Sequence, residues 1–273
     1  MTSNEWRLII HTPAEGAWNM AVDEAILESV CNYVQKPTLR LYAWNPYCVS
    51  LGHAQPISDI DLTSLKNHGW QLVRRPTGGR AILHADELTY SVCAPLEEPL
   101  VSGSVLESYR RLSTALLKAL QLLGIHAISK PKYNHQFKSK KNPVCFEVPS
   151  DYEITCNGKK IIGSAQARKK YGVLQHGAIP IYGDLTRIIE VLAFSNKNNK
   201  NRSEERLKVH AGTLEYYLKR RIPWKDVSQA VIEGFKLALE IKLIPGQLSY
   251  DEQQRANILI IEKYGNDTWT KRI

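Results

Sequence analysis

The chain has 273 residues, and its 36 lysines and arginines against 27 aspartates and glutamates give a formal charge of +9. That is long enough for one large domain or two modest ones, and the charge favours an acidic partner. The start MTSNEWRLIIHTP lacks the basic opening and continuous apolar run of an export signal, and windows such as LSTALLKALQLLGI are broken by polar residues well short of a membrane span. Five cysteines (Cys31, Cys48, Cys93, Cys145 and Cys156) are an odd number with no CxxC pair, so free thiols in a reducing cytoplasm are expected. The arginines form no nucleic-acid signature.

In chain order, NMAVDEAILESVC (residues 19–31) sets apolar and acidic residues at helical spacing, with Asp23 and Glu24 near the start, and predicts an amphipathic helix. TLRLYAW and YCVSLGH, split by an Asn-Pro break, predict a hairpin-like pair of strands. QLVRRPTGGRAILH continues as strand, glycine turn and strand, and ELTYSVCAP as another strand. Ser104 and Glu107 form a capping box ahead of a leucine stripe that stops at Gly124, the signature of a helix. A basic, non-periodic loop is expected from about Pro131 to Pro149. YEITCNGKKIIGSAQAR then predicts two strands around an Asn157–Gly158 turn, with a further strand in VLQHGAIPIYG.

The polar run SNKNNKNRSEER, Ser195 to Arg206, predicts a flexible connection. Only helices are expected beyond it, in AGTLEYYLKR, in WKDVSQAVIEGFKLALEI and from Ser249, where Ser249 and Glu252 repeat the capping box. Strands first and helices last indicate an α+β fold. Residues 1–195 would form a catalytic body with a mixed sheet flanked by helices, and residues 196–273 a helical part packed on the same domain.

Three groups of residues could carry chemistry. In RRPTGGRAILHADELTYS, Gly78 and Gly79 let backbone amides approach a ligand while Arg74, Arg75 and Arg80 bring positive charge to the turn. An anionic or carbonyl-bearing ligand would suit it, and a tight turn with solvated arginines is the structural alternative. No P-loop or GxGxxG spacing specifies a nucleotide. Cys145 lies in NPVCFEVPSDYE, with Lys138, Lys140 and Lys141 before it and Lys159 and Lys160 after it. Nearby ammonium groups favour the nucleophilic thiolate. A buried structural thiol is the other reading for Cys145, and the expected one for Cys31, Cys48 and Cys93 in their apolar segments. His84 and His176 have no partner at metal-ligand spacing, so they are expected to line a ligand or the core, with no metal and no other cofactor.

Taken together, NMAVDEAIL, RRPTGGRAILH with ELTYS, NPVCFEVPSDYEI and GKKIIGSAQARKKYGVLQHGAI resemble the lipoate and biotin protein ligase superfamily, most closely its octanoyltransferase branch. The resemblance implies a biotin/lipoyl protein ligase-like fold with a tunnel for a fatty acyl chain. One wall would hold Arg75, Thr77, Gly78, Gly79, Arg80 and His84, and the other Lys160, Gly163, Ser164, Ala165, Gln175 and His176. Ligases of the superfamily use ATP and typically carry a third glycine where Arg80 stands. The octanoyltransferase branch is similar to this chain in having Arg80 and the Cys145–Phe146 pair.

That branch implies acyl transfer in two steps without ATP, as the first step of protein lipoylation. Cys145 thiolate, its pKa lowered by Lys160, would attack the thioester of octanoyl-acyl carrier protein and release the carrier's phosphopantetheine thiol. A lysine of an apo lipoyl domain or of the glycine-cleavage H protein would then take the octanoyl group from Cys145 as an amide. A cytoplasmic monomer with no nucleic-acid or membrane partner is expected. In this family an Asp often follows the histidine; here Ala85 follows His84 and Asp86 comes next, which leaves the orientation of His84 open. The alternatives are an ATP-dependent lipoate protein ligase, a lipoyl-domain amidotransferase of the same superfamily, and, from a different class, a basic nucleic-acid-binding module.

Overall fold

The computed structural model describes residues 4–129, 153–169 and 172–273. The expected basic loop and Cys145 lie outside the described residues. The strands are β1 (Glu5–Ile10), β2 (Thr38–Tyr42), β3 (Cys48–Leu51), β4 (Gln71–Arg74), β5 (Ile82–His84) and β6 (Glu87–Pro95), then β7 (Ile128–Ser129), β8 (Ile154–Cys156), β9 (Lys159–Lys169), β10 (Gly172–Pro180) and β11 (Lys242–Pro245). The helices are α1 (Gly16–Cys31), α2 (Leu62–Asn67), α3 (Val105–Leu122) and α4 (Lys197–His210), then α5 (Leu214–Leu218), α6 (Trp224–Leu239), α7 (Tyr250–Leu259) and α8 (Asp267–Thr270).

Among the described residues, eight strands form one sheet in the order β11-β1-β2-β6-β10-β9-β8-β7, and three form a second in the order β4-β3-β5. In the large sheet β1 runs parallel to β11 and β2 and the other pairings are antiparallel, while in the small sheet β3 runs parallel to β4 and antiparallel to β5. The mixed sheet flanked by helices is the fold class read from the sequence. β6 is central, with all nine residues buried. Its period-two alternation sends Leu88, Tyr90 and Val92 into a cluster with Leu116 of α3 and Phe235 of α6, and Cys93 into a second cluster with Ile26 of α1 and Ala256 of α7. Each large apolar side chain buried this way contributes roughly 1.5–3 kcal/mol. A third cluster lies beneath the small sheet and takes in Val49, Leu51 and Leu207 of α4.

Both capping boxes form, at Ser104–Glu107 and Ser249–Glu252. Gly124 follows α3 at φ 85, and Asn157–Gly158 turns β8 into β9, each with positive φ. Four local expectations fail. β2 and β3 are not a hairpin: β2 lies in the large sheet, while β3 sits between β4 and β5. α1 begins at Gly16, so Asp23 and Glu24 fall in mid-helix rather than near its start, and both are buried. The run expected to be a flexible connection is α4, capped by Asn196 and anchored by buried Ser203 and Leu207 one turn apart. A strand also occurs among the late helices, where β11 pairs with β1.

Candidate active site

A narrow slot opens on the α1 side of the large sheet and against the small one. Met20 of α1, Trp44, Ser50 of β3 and His84 of β5 form one side, and Gly163–Ala165 with His176–Ala178 form the other. The far wall exists because β9 and β10 pair Gly163 with Ala178, Ser164 with Gly177 and Ala165 with His176. Gly177 fits there because a Cβ would stand 2.6 Å from both Ser164 Oγ and Tyr90 Cε1.

Two imidazoles face this slot. His84 stacks on Trp44 with centroids 4.0 Å apart and planes at 14°. Its Nδ1 lies 2.7 Å from Glu87 Oε1 and its Nε2 2.8 Å from Ser50 Oγ. Glu87, rather than a residue next to the histidine, therefore fixes the orientation that the sequence left open. His176 Nε2 lies 2.6 Å from Thr77 Oγ1, which ties the two walls together. Its Nδ1 faces Asp23 Oδ2 at 3.6 Å, too long for a hydrogen bond. Burial pushes His176 below the ordinary imidazole value, against the opposing pull of Asp23. Burial alone would raise Asp23, but the Arg40 guanidinium at 2.8 Å, followed by His176 and Ser91, holds it below the usual carboxylate range.

The glycine turn is stapled from inside. Arg75 donates from Nη1 to Ser50 O (2.7 Å) and Ser50 Oγ (3.0 Å), and from Nη2 to Gly78 O (2.9 Å) and Arg80 O (2.7 Å). Arg74 donates to Gly52 O at 2.8 Å and Gln55 O at 2.6 Å. Both side chains are buried, so the reading of solvated arginines fails for this pair. Gly78, Gly79 and Arg80 line not the slot but an adjoining open cleft of about 900 Å³, which they share with His53, Gln166 and Arg168.

Lys160 is buried near the start of β9, with Nζ 2.6 Å from Glu153 Oε1. It stands three residues before Gly163, roughly 10 Å along a strand. Gln175 belongs to the other face of the sheet, alternating with Leu174 and His176. There its Nε2 donates to Tyr90 OH at 3.0 Å, and Tyr90 OH in turn lies 2.7 Å from Ser164 Oγ. Burial pushes all four described thiols (Cys31, Cys48, Cys93 and Cys156) above the ordinary cysteine value. Among the described residues there is no cluster of three or more metal-ligating side chains, and no helix long and apolar enough to cross a membrane.

Met20, Trp44, Ser50 and Glu87 were not singled out from the sequence. A usable signal was present for Glu87: in ELTYSVC the polar Glu87, Thr89 and Ser91 alternate with Leu88, Tyr90 and Val92, which marks a polar inner face on a buried strand.

The narrow slot is walled by close-paired strands and opens beside a cleft to which Arg80 and Arg168 bring positive charge. The chain belongs to the lipoyl protein ligase A/B catalytic domain family, whose model matches residues 15–236. It is 39% identical to the octanoyltransferase LipM of Carboxydothermus hydrogenoformans, over 98% of each chain. It is 35% identical to the octanoyltransferase LipM of Bacillus subtilis, over 98% of this chain and 99% of that one. It is also similar, with TM-score 0.82 and 25% identity over 98% of this chain and 96% of the other, to a chain from a structural analysis of a bipartite lipoate protein ligase and its E2 lipoyl domain from Thermoplasma acidophilum.

Proposed function

We propose that the protein is an octanoyltransferase that moves an octanoyl group from octanoyl-acyl carrier protein to a lysine of an apo lipoyl domain or H protein, in the cytoplasm, by way of a thioester on Cys145. The observation that carries this reading is the likeness to octanoyltransferases over nearly the whole of both chains. The slot agrees with it in character. Burying the seven carbons beyond the octanoyl carbonyl would contribute on the order of 6 kcal/mol at about 0.8 kcal/mol per methylene.

In this mechanism Cys145 thiolate attacks the donor thioester, the carrier thiol leaves, and the lysine amine then displaces Cys145 to give an amide. Lys160 stabilises the thiolate, and its ion pair with Glu153 moderates that effect because one ammonium serves two anions. The raised pKa values of the four described thiols leave them poor nucleophiles, which supports Cys145 in the role. The open cleft beside Gly78–Arg80 gives the carrier arm, and then the acceptor lysine, a route to the head of the slot.

The likeness to a lipoate protein ligase chain makes an ATP-dependent ligase the second reading, and one experiment separates the two. The purified protein is mixed with octanoyl-acyl carrier protein without ATP and its intact mass recorded, for wild type and Cys145→Ala. A hydroxylamine-labile octanoyl adduct on the wild type alone is expected. No adduct, with transfer from free octanoate only when ATP is added, would make the chain a ligase.

A further inference from the structure

We infer that Glu87 is a positioning residue that holds the Gly78–Gly79 turn in shape through a one-way chain of hydrogen bonds, His84 to Ser50 to Arg75, running under the slot. The kinetic part of this inference rests on the proposed octanoyl transfer; the structural part does not.

The chain follows from counting protons. Arg75 Nη1 can only donate, and it donates to Ser50 Oγ at 3.0 Å. A hydroxyl has two lone pairs and one proton, so Ser50 Oγ can accept from Arg75 and still donate to its other partner, His84 Nε2 at 2.8 Å. The Glu87 carboxylate can only accept, so His84 donates Nδ1–H to Oε1 at 2.7 Å, and in that tautomer Nε2 is left to accept from Ser50. A side branch ends at the same atom: Trp44 Nε1 donates to Thr89 Oγ1 at 2.8 Å, and Thr89 donates to Glu87 Oε1 at 2.5 Å. The chain runs from a guanidinium to a carboxylate by way of Ser50 and His84.

All four members are nearly closed to solvent: Glu87 and His84 are 6% exposed, Arg75 3% and Ser50 0%. Poorly screened charges at the two ends polarise the groups between them, so the links strengthen one another. The far end does the shaping. While Ser50 holds Nη1, Arg75 Nη2 is left to bind the Gly78 and Arg80 carbonyls that frame the turn. Removing the charge on Glu87 frees His84 to take either tautomer. Where the proton moves to Nε2, Ser50 loses the acceptor for its proton and its hydroxyl is no longer oriented towards Arg75, which leaves Nη1 held by the Ser50 carbonyl alone.

The test uses the full chain carrying 15N-labelled histidine, with no substrate present. Wild type is expected to show His84 as the Nδ1–H tautomer, and Glu87→Gln a mixture with the Nε2–H form. In octanoyl transfer, Glu87→Gln is expected to raise the donor KM about tenfold while kcat changes less than about threefold, the pattern of lost binding rather than lost chemistry. Ser50→Ala should cost about as much, and the double variant no more than the worse single one, because linked residues fail together. Wild-type His84 protonated on Nε2 overturns the inference, and that reading needs no variant to fold. Two other results overturn it as well: Glu87→Gln with unchanged tautomer and KM, or a double variant whose losses multiply. A wild type with the expected tautomer but no octanoyl transfer would refute the proposed function while upholding the hydrogen-bond chain.

Discussion

Alanine at Gly52 is expected to damage the site more than alanine at Gly78, although Gly78 belongs to the conspicuous glycine pair and Gly52 does not. A Cβ on Gly52 would stand 2.0 Å from Gly79 O and 2.8 Å from Gly79 C, whereas a Cβ on Gly78 meets nothing within 4 Å. Ordinary contact begins at 3.4 Å, so β3 and the turn must part by about 1.4 Å. Two hydrogen bonds at this contact are strained by the motion, His53 N to Thr77 O and Arg74 Nη1 to Gly52 O, each 2.8 Å. Overpacking of this kind costs about 1–3 kcal/mol and a lost hydrogen bond about 1 more, about 2–4 kcal/mol in all. At roughly 2–4 °C per kcal/mol for a chain of this size, Tm should fall by about 5–15 °C. Gly78→Ala should stay within about 0.5 kcal/mol of wild type. A turn displaced by more than an ångström should also slow octanoyl transfer on the order of 10²-fold in Gly52→Ala. Thermal melts of the two variants, with intact-mass transfer assays on the same preparations, give the answer. Equal Tm values, or a Gly52→Ala protein that melts and transfers like wild type, would refute the reasoning.

Lys160→Ala should raise the pH at which Cys145 is alkylated by iodoacetamide, and Glu153→Gln, which releases the ammonium from its carboxylate, should lower it, each by about one pH unit. A profile that moves in neither variant removes Lys160 from the role. Burial alone would raise Glu24, but hydrogen bonds from Lys169, Lys263 and Tyr264 hold it at about 2 against an ordinary 4.5. A carboxylate depressed on folding adds stability that is complete above about pH 4.5 and lost as pH falls towards 2, here about 3 kcal/mol. In urea titrations Glu24→Gln should therefore cost about 3 kcal/mol at pH 7 and far less near pH 2.5; equal costs would contradict the pairing.

What could be read from the sequence was mostly local. Capping boxes at Ser104 and Ser249 and the Asn157–Gly158 turn depend on neighbours within four residues, and all formed. The partners of β2 and β3 depend on which distant strand lies alongside, and alternation alone does not encode that. α4 was missed because its anchoring stripe is only Ser203 and Leu207, too thin to register as periodicity. The walls of the slot were legible where glycine clusters marked them. Ser50 and Trp44 were not, because an unremarkable serine on β3 and a tryptophan just beyond β2 acquire meaning only when the fold brings both to His84.

β9 changes neighbours part-way along. Lys159 to Ile162 pair with β8, and Gly163 to Lys169 pair with β10. The distance from Lys160 to the slot wall is thus counted out in peptide units, and one inserted residue between them would turn the wall residues to opposite faces. The protein carries an internal ruler whose zero is fixed by the sheet. On the proposed octanoyl transfer, exchanging side chains along the slot would retune the length of acyl chain accepted, but the origin of the scale cannot shift without re-pairing the strand that bears it.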